Sequence, residues 1–150
     1  MPPQPDPRMR RAQEAYLRHS GSAFQPPIAP TDPPSKRAFM ENIFQQAYAD
    51  SWAHPGLDMK TKSLVTIAIM GTLGVETELK NHIRRAHHAG VTKDEVVAVL
   101  IHLGAYIGAP KAARAAAVAS EVWAESQPLR AKPQAAKRQG AKPRRRATHS

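Results

Sequence analysis

Proline placement divides the chain before any helix is drawn. Nine of the fourteen prolines lie in residues 1–34, among them Pro26-Pro27 and Pro33-Pro34. Each fixes φ and removes an amide donor, so no continuous helix passes through those pairs, and residues 1–34 are read as an N-terminal arm. At the other end, residues 128–150 mix Pro, Ala, Gln, Lys and Arg with almost no large apolar side chain. Such a segment cannot bury enough surface to offset the entropy of ordering and is expected to stay an unfolded tail. That leaves residues 35–127 to build the core of one small domain, which oligomerisation would help to stabilise.

Five helices are expected in that core. The first runs from Ser35, a candidate N-cap, to Asp50, with Phe39, Ile43, Phe44 and Ala47 on one apolar stripe. Trp52-Ala53-His54-Pro55-Gly56-Leu57 breaks the pattern, and Asp58 caps a second helix running to Leu73. Its centre, Leu64 to Met70, is apolar on nearly every side, which predicts a buried helix. A third helix extends from Val75 to Ala89 and ends at Gly90; Thr92-Lys93-Asp94-Glu95 then forms a capping box for a fourth, to Ile107. Gly108-Ala109-Pro110 opens the alanine-rich fifth. No repeat of solenoid length is present.

Three function classes recede on composition. The chain has no cysteine, which removes disulfides, thiolate metal sites and any dithiol redox cycle. The first twenty residues hold no apolar signal region, and no later apolar run is long enough to span a membrane, so the chain reads as soluble and cytoplasmic with no membrane partner. The net charge of +10 suggests nucleic acid until it is mapped: the eight basic residues from Arg130 onward, with no acid among them, carry +8, and residues 36–125 are nearly neutral. The tail with Arg144-Arg145-Arg146 fits non-specific nucleic-acid contact through counterion release, but it lacks aromatics for base stacking. A solvated tail with no specific role reads as well.

The chemistry-bearing residues cluster on the third helix. Glu78 and His82 are one turn apart and share a face with Leu79, Ile83 and Ala86, which point inward. A carboxylate beside an imidazole can orient it and tune its basicity for proton transfer or for holding an oxyanion. The alternative is a surface ion pair or a core histidine with its polar tips satisfied. On the fourth helix His102 and Tyr106 repeat the same spacing, either as a further donor pair or as core groups. Trp52 and the turn after it could wall a pocket or serve as a packing anchor. His87 and His88 point about 100° apart on a helix and cannot converge with His82 on a metal, so no metal site is expected.

Three segments carry a resemblance to a known family. Trp52 to Thr66 resembles the W-x-x-P-G-L-D-x-x-T-[RK]-S-L-[LV]-T run of the γ-carboxymuconolactone decarboxylases. Glu78-Leu79, His82, Arg84, Ala86 and Gly90 resemble the histidine motif, and Tyr106-Ile107-Gly108-Ala109-Pro110 resembles Y-x-G-x-P. The resemblance covers residues 52–110 and implies an all-α fold of the alkylhydroperoxidase-like type, assembled as a trimer or hexamer of identical chains. The peroxidase branch of that superfamily places a C-x-x-C where this chain has Val75 and Glu78, so thiol peroxidase chemistry is excluded.

The resemblance further implies a cofactor-free decarboxylation of a carboxylated lactone, as in aromatic-compound breakdown. The unsaturated lactone carbonyl accepts the electron pair left behind by carbon dioxide, and the protein stabilises the oxyanion and returns a proton to carbon. In that reading His82 is proton donor or oxyanion partner, Glu78 orients it, and Arg84 contacts a substrate carboxylate unless it faces another subunit. Trp52, His102 and Tyr106 complete the candidate substrate contacts. Two alternatives stand: a non-catalytic helical scaffold tethered to polyanions by its tail, and an enzyme of the same kind acting on another small acid such as a keto acid.

Overall fold

The computed structural model describes residues 6–126, and every regular element among them is helical. The basic tail of residues 128–150, and with it the polyanion reading, lies outside the described residues. None of the described helices is long and apolar enough to cross a membrane.

The first difference from expectation is in the arm. Residues Pro7–Ser20 form a helix, α1, so the described fold has six α-helices where five main ones were expected. The ends are well specified. Asp6 accepts a hydrogen bond from the Arg8 amide, Pro7 occupies the first turn where its missing donor costs nothing, and Gly21 closes the helix at φ +72. The positive φ at Gly21 favours glycine, and a Cβ there would lie 2.8 Å from the ring of the exposed His88, which would have to move aside. Residues 8–25 contain no proline, a gap that averaging over the whole arm conceals.

Helix α2, Ser35–Gln45, continues without a break into a π-helical segment, Gln46–Trp52. Ser35 is the first helical residue rather than the N-cap. In an α-helix side chains four residues apart drift by about 40°; the wider π turn, closed by the Ala53 amide on the Tyr48 carbonyl at 2.9 Å, opposes that drift. Phe44, Tyr48 and Trp52 consequently stay on one face, with successive ring centroids 5.2 and 5.7 Å apart, the first pair tilted and the second stacked. Phe39 and Ile43 do not join a buried stripe and are 61% and 43% exposed; Ile43 lines a cleft instead of a solid core.

The remaining helices are α3 (Met59–Leu73), α4 (Glu76–Ala86), α5 (Lys93–Ile107) and α6 (Ala109–Glu125). The Asp58 cap and the Thr92/Glu95 capping box form as expected. Lys62 of α3 donates to the carbonyl of Trp52 at 2.9 Å and to that of His54, satisfying acceptors freed where the π segment ends. Ile67, Leu79, Ile83, Leu100, Leu103, Val118 and Val122 make the bundle core. A second cluster, Ala12, Ala15, Phe44, Tyr48, Ala49 and Trp52, joins α1 to the π segment. The expectation that α3 is buried all round fails in the single chain: Ser63, Ile67 and Gly71 face inward, whereas Val65, Ile69 and Leu73 are exposed. Ile101 and Tyr106 of α5 are exposed as well.

Candidate active site

The site lies where the two clusters meet. Helix α4 presents Glu78, His82 and Arg85, spaced i, i+4 and i+7 and therefore on one face, to a cleft of about 500 Å³. Its opposite wall is aromatic: Phe44, Tyr48 and Trp52 from the α2 and π run, with Tyr16 of α1 and Phe24 closing one end. Phe24 stacks on Phe44 with centroids 3.8 Å apart. The Arg85 guanidinium carbon stands 5.3 Å from the Tyr16 ring centroid, a cation held over a π face.

His82 is buried at the base of this cleft, and its Nδ1 has no hydrogen-bond partner. Glu78 therefore does not hold that nitrogen, although it faces the cleft from an exposed position one turn away. Burial, reinforced by the positive charge of Arg85, pushes the His82 pKa down to about 4. The imidazole is neutral at pH 7, and in the free chain it presents an uncharged N–H rather than an imidazolium.

Behind the cleft wall stands a second buried histidine. His19, on α1, is fully inaccessible; its ring stacks on Trp52 at 3.9 Å between centroids and lies 5.7 Å from the His82 ring. Its Nδ1 is 3.2 Å from the Tyr48 hydroxyl, and its Nε2 is unpartnered. Burial, with smaller contributions from His82, Arg85 and His88, lowers the His19 pKa to about 3. Burial raises Tyr48 to about 12, so the phenol is neutral too.

Of the residues expected at the site, Glu78, His82 and Trp52 come together around the cleft. Arg84 does not: it points to solvent and pairs with Glu125 of α6. Two residues on from His82 a helix has turned about 200°, which carries Arg84 to the far face, while Arg85 returns to the near one. His102 and Tyr106 line a separate apolar groove between α3 and α5, with Leu64, Val65 and Ile107. Their rings are 5.0 Å apart, and both are exposed.

Arg85 was legible from the same spacing that singled out Glu78 and His82. Tyr48 was legible only with the π segment, and His19 only with α1. Among the described residues no group of three or more His, Asp or Glu side chains converges in a way that could hold a metal ion.

Among the described residues, six α-helices carry a cleft in which a buried histidine and an arginine from one helix stand opposite an aromatic wall. Residues 37–121 match the model of the carboxymuconolactone decarboxylase family, more than half of the chain, and the chain belongs to that family. Over 85 residues it is 41% identical to the 4-carboxymuconolactone decarboxylase of Acinetobacter baylyi, covering 57% of this chain and 63% of that protein. Over 77 residues it is 35% identical to the nitrosuccinic acid decarboxylase of Metarhizium robertsii, covering 51% and 54%. Both matches span less than two thirds of the relative's own length. A 15.0 kDa protein of Paracoccus denitrificans, itself uncharacterised, is 28% identical over 119 residues, covering 78% of this chain and 84% of that protein.

Proposed function

We propose that this chain is a cofactor-free decarboxylase of a small carboxylated lactone of the 4-carboxymuconolactone kind. The observation that carries the reading is a buried neutral imidazole, His82, beside the Arg85 guanidinium on one face of α4, with the aromatic rings of Phe44, Tyr48 and Trp52 on the opposite wall of the cleft. The decarboxylase names of two relatives support the reaction class.

In this reading Arg85 binds a carboxylate of the substrate through charge-assisted hydrogen bonds. It takes the place that the sequence motif suggested for Arg84. The carboxylate that will leave lies against Trp52, Tyr48 and Phe44, where poor solvation of its charge favours loss as neutral carbon dioxide. The electron pair of the breaking carbon–carbon bond passes into the conjugated lactone carbonyl and gives an enolate. The neutral His82 N–H stabilises the new oxyanion, and a proton then adds at carbon to give the enol-lactone. Bound anionic substrate raises the His82 pKa, since an opposite charge nearby favours the imidazolium, and so readies the histidine to deliver that proton. Glu78, at the exposed rim, resupplies it from solvent.

The apolar faces of α3 and α5, with Val65, Ile69, Leu73 and Ile101 exposed, fit cover by further copies of the chain as a trimer or hexamer. Sedimentation measures that directly. For the reaction, carbon dioxide release from 4-carboxymuconolactone is compared between the chain and its His82→Ala and Arg85→Ala forms. Release that depends on both residues supports the reading, and equal release from all three removes it. Release from a keto acid but not from the lactone would keep the enzyme and change its substrate.

A further inference from the structure

We propose that Tyr16 is a positioning residue that aims Arg85 into the cleft, holding the guanidinium over its ring face so that the N–H donors stay free for a substrate carboxylate. The placement of Arg85 stands by itself; its consequence for catalysis deepens the decarboxylase reading and rests on it.

Ala12, Ala15, Tyr16 and His19 are spaced i, i+3, i+4 and i+7 and so share one face of α1. The two alanines, both fully inaccessible, let α1 lie close to the π segment, and that approach carries the Tyr16 ring to the end of the cleft. Its neighbours fix the ring there. The Tyr16 plane is inclined by 74° to Phe24, 67° to Phe44 and 77° to Tyr48, with centroids 5.5, 5.6 and 4.9 Å away, the near-perpendicular arrangement that aromatic pairs favour. Over this anchored ring stands the Arg85 guanidinium, its central carbon 5.3 Å from the centroid.

Arg85 differs from other arginines of the bundle in how its charge is met. Arg84 pairs with Glu125, and Arg114 pairs with Glu76. Among the described residues Arg85 is in no ion pair, although Glu78 lines the same cleft. A carboxylate partner would neutralise the guanidinium and occupy the donors that a bound anion needs. A ring face attracts the cation through its quadrupole and leaves the planar fork of donors open. Tyr16 thereby fixes where the guanidinium lies without competing for what it binds.

The test uses the full chain with ¹⁵N-labelled arginine and measures KM and kcat for 4-carboxymuconolactone. Tyr16→Leu, which keeps an apolar side chain and removes the π face, should raise KM by roughly 2–30-fold with kcat little changed. Tyr16→Phe, which keeps the face, should restore most of that affinity. In an Arg85→Ala background Tyr16→Leu should add little to the KM already lost, because Tyr16 acts through Arg85. The Arg85 Nε–H resonance, shielded by the ring beneath it, should move in Tyr16→Leu and hold its place in Tyr16→Phe.

A full additional rise in KM in the Arg85→Ala background overturns the proposal, since it marks Tyr16 as a packing group. So does an Arg85 resonance that Tyr16→Leu leaves unmoved. Where Tyr16→Leu fails to fold, replacement of Tyr16 by pentafluorophenylalanine keeps the ring's shape and reverses its charge distribution; a KM equal to that of Tyr16→Phe then overturns the proposal, and a raised one supports it. If no lactone is decarboxylated, the proposed reaction fails, and titration of 4-carboxymuconolactone against the Arg85 resonance decides this point: weaker binding in Tyr16→Leu than in Tyr16→Phe supports it, and equal or absent binding overturns it.

Discussion

The α3–α6 bundle and the N-terminal layer that covers it are held together by different kinds of contact. The bundle interdigitates branched aliphatics, with Ile67, Leu79, Leu100 and Val118 at its centre. The layer brings two alanines of α1, Ala12 and Ala15, flat against the aromatic face of the π segment. Aliphatic burial scales with area and tolerates adjustment, whereas close backbone approach over alanine leaves no room for a larger side chain. The catalytic candidates sit on the seam: His82 and Arg85 come from the bundle, and the aromatic wall opposite them comes from the layer. Stability therefore resides mainly in one region and the environment of the chemistry in the other.

Substitutions at the seam should have the largest effect, and it should appear in activity. His82→Ala is expected to lower kcat by roughly 10²–10⁴, the usual contribution of a positioned acid–base group, with the melting temperature nearly unchanged. Arg85→Ala should act mainly on KM. A comparable loss in kcat alone would place Arg85 in the chemical step instead of in binding.

The next contrast separates the regions by stability. Ile67→Ala, at a fully buried bundle position, should cost about 2–5 kcal/mol in denaturant unfolding while the surviving folded protein keeps its rate. Ala15→Leu should cost about 1–3 kcal/mol through overpacking, yet reduce activity out of proportion by lifting α1 from the π segment. Equal activity losses in the two variants at matched folded fraction would dissolve the distinction.

How much of this was legible in the sequence follows the same division. Capping residues and 3.6-residue aliphatic periodicity announced α3 to α6, and Asp58, Thr92, Glu95 and Gly108 end them much as expected. Helix α1 hid because its buried face is made of alanines and one histidine, which raise no apolar signal, and because flanking prolines dominated the composition of the arm. The π segment was beyond any periodicity argument based on α geometry. With those two elements went the buried pair of His19 and Tyr48. Arg85 was a different kind of miss: the motif drew the eye to Arg84, although helix geometry alone favours its neighbour.

A smaller effect concerns pH. His82 and His19 have folded pKa values near 4 and 3, below the 6.5 of an exposed histidine, so the unfolded chain takes up protons that the folded chain refuses. Stability from these two groups is complete above about pH 6.5 and falls as pH drops toward 4 and 3. Between about pH 6.5 and 5 carboxylates contribute little, and the melting temperature should slope downward with acidification there. The slope should flatten in a His19→Phe, His82→Asn double variant, and an unaltered slope would assign it to other groups.

The smallest effect is expected at Arg84. Its pair with Glu125 is solvent-exposed, and such pairs contribute little. Arg84→Ala should leave kcat, KM and the melting temperature within error, in contrast to Arg85→Ala.

If the N-terminal layer makes His82 a buried neutral imidazole facing the cleft, nuclear magnetic resonance titration of the His82 ring, with and without a bound carboxylated lactone, will register it. The free chain should show His82 neutral down to about pH 4, with a clear rise in pKa when the acid binds and a return toward 6.5 in Ala15→Leu. A free-chain pKa near 6.5 that responds neither to the ligand nor to Ala15→Leu would show that burial under the N-terminal layer does not set the protonation of His82.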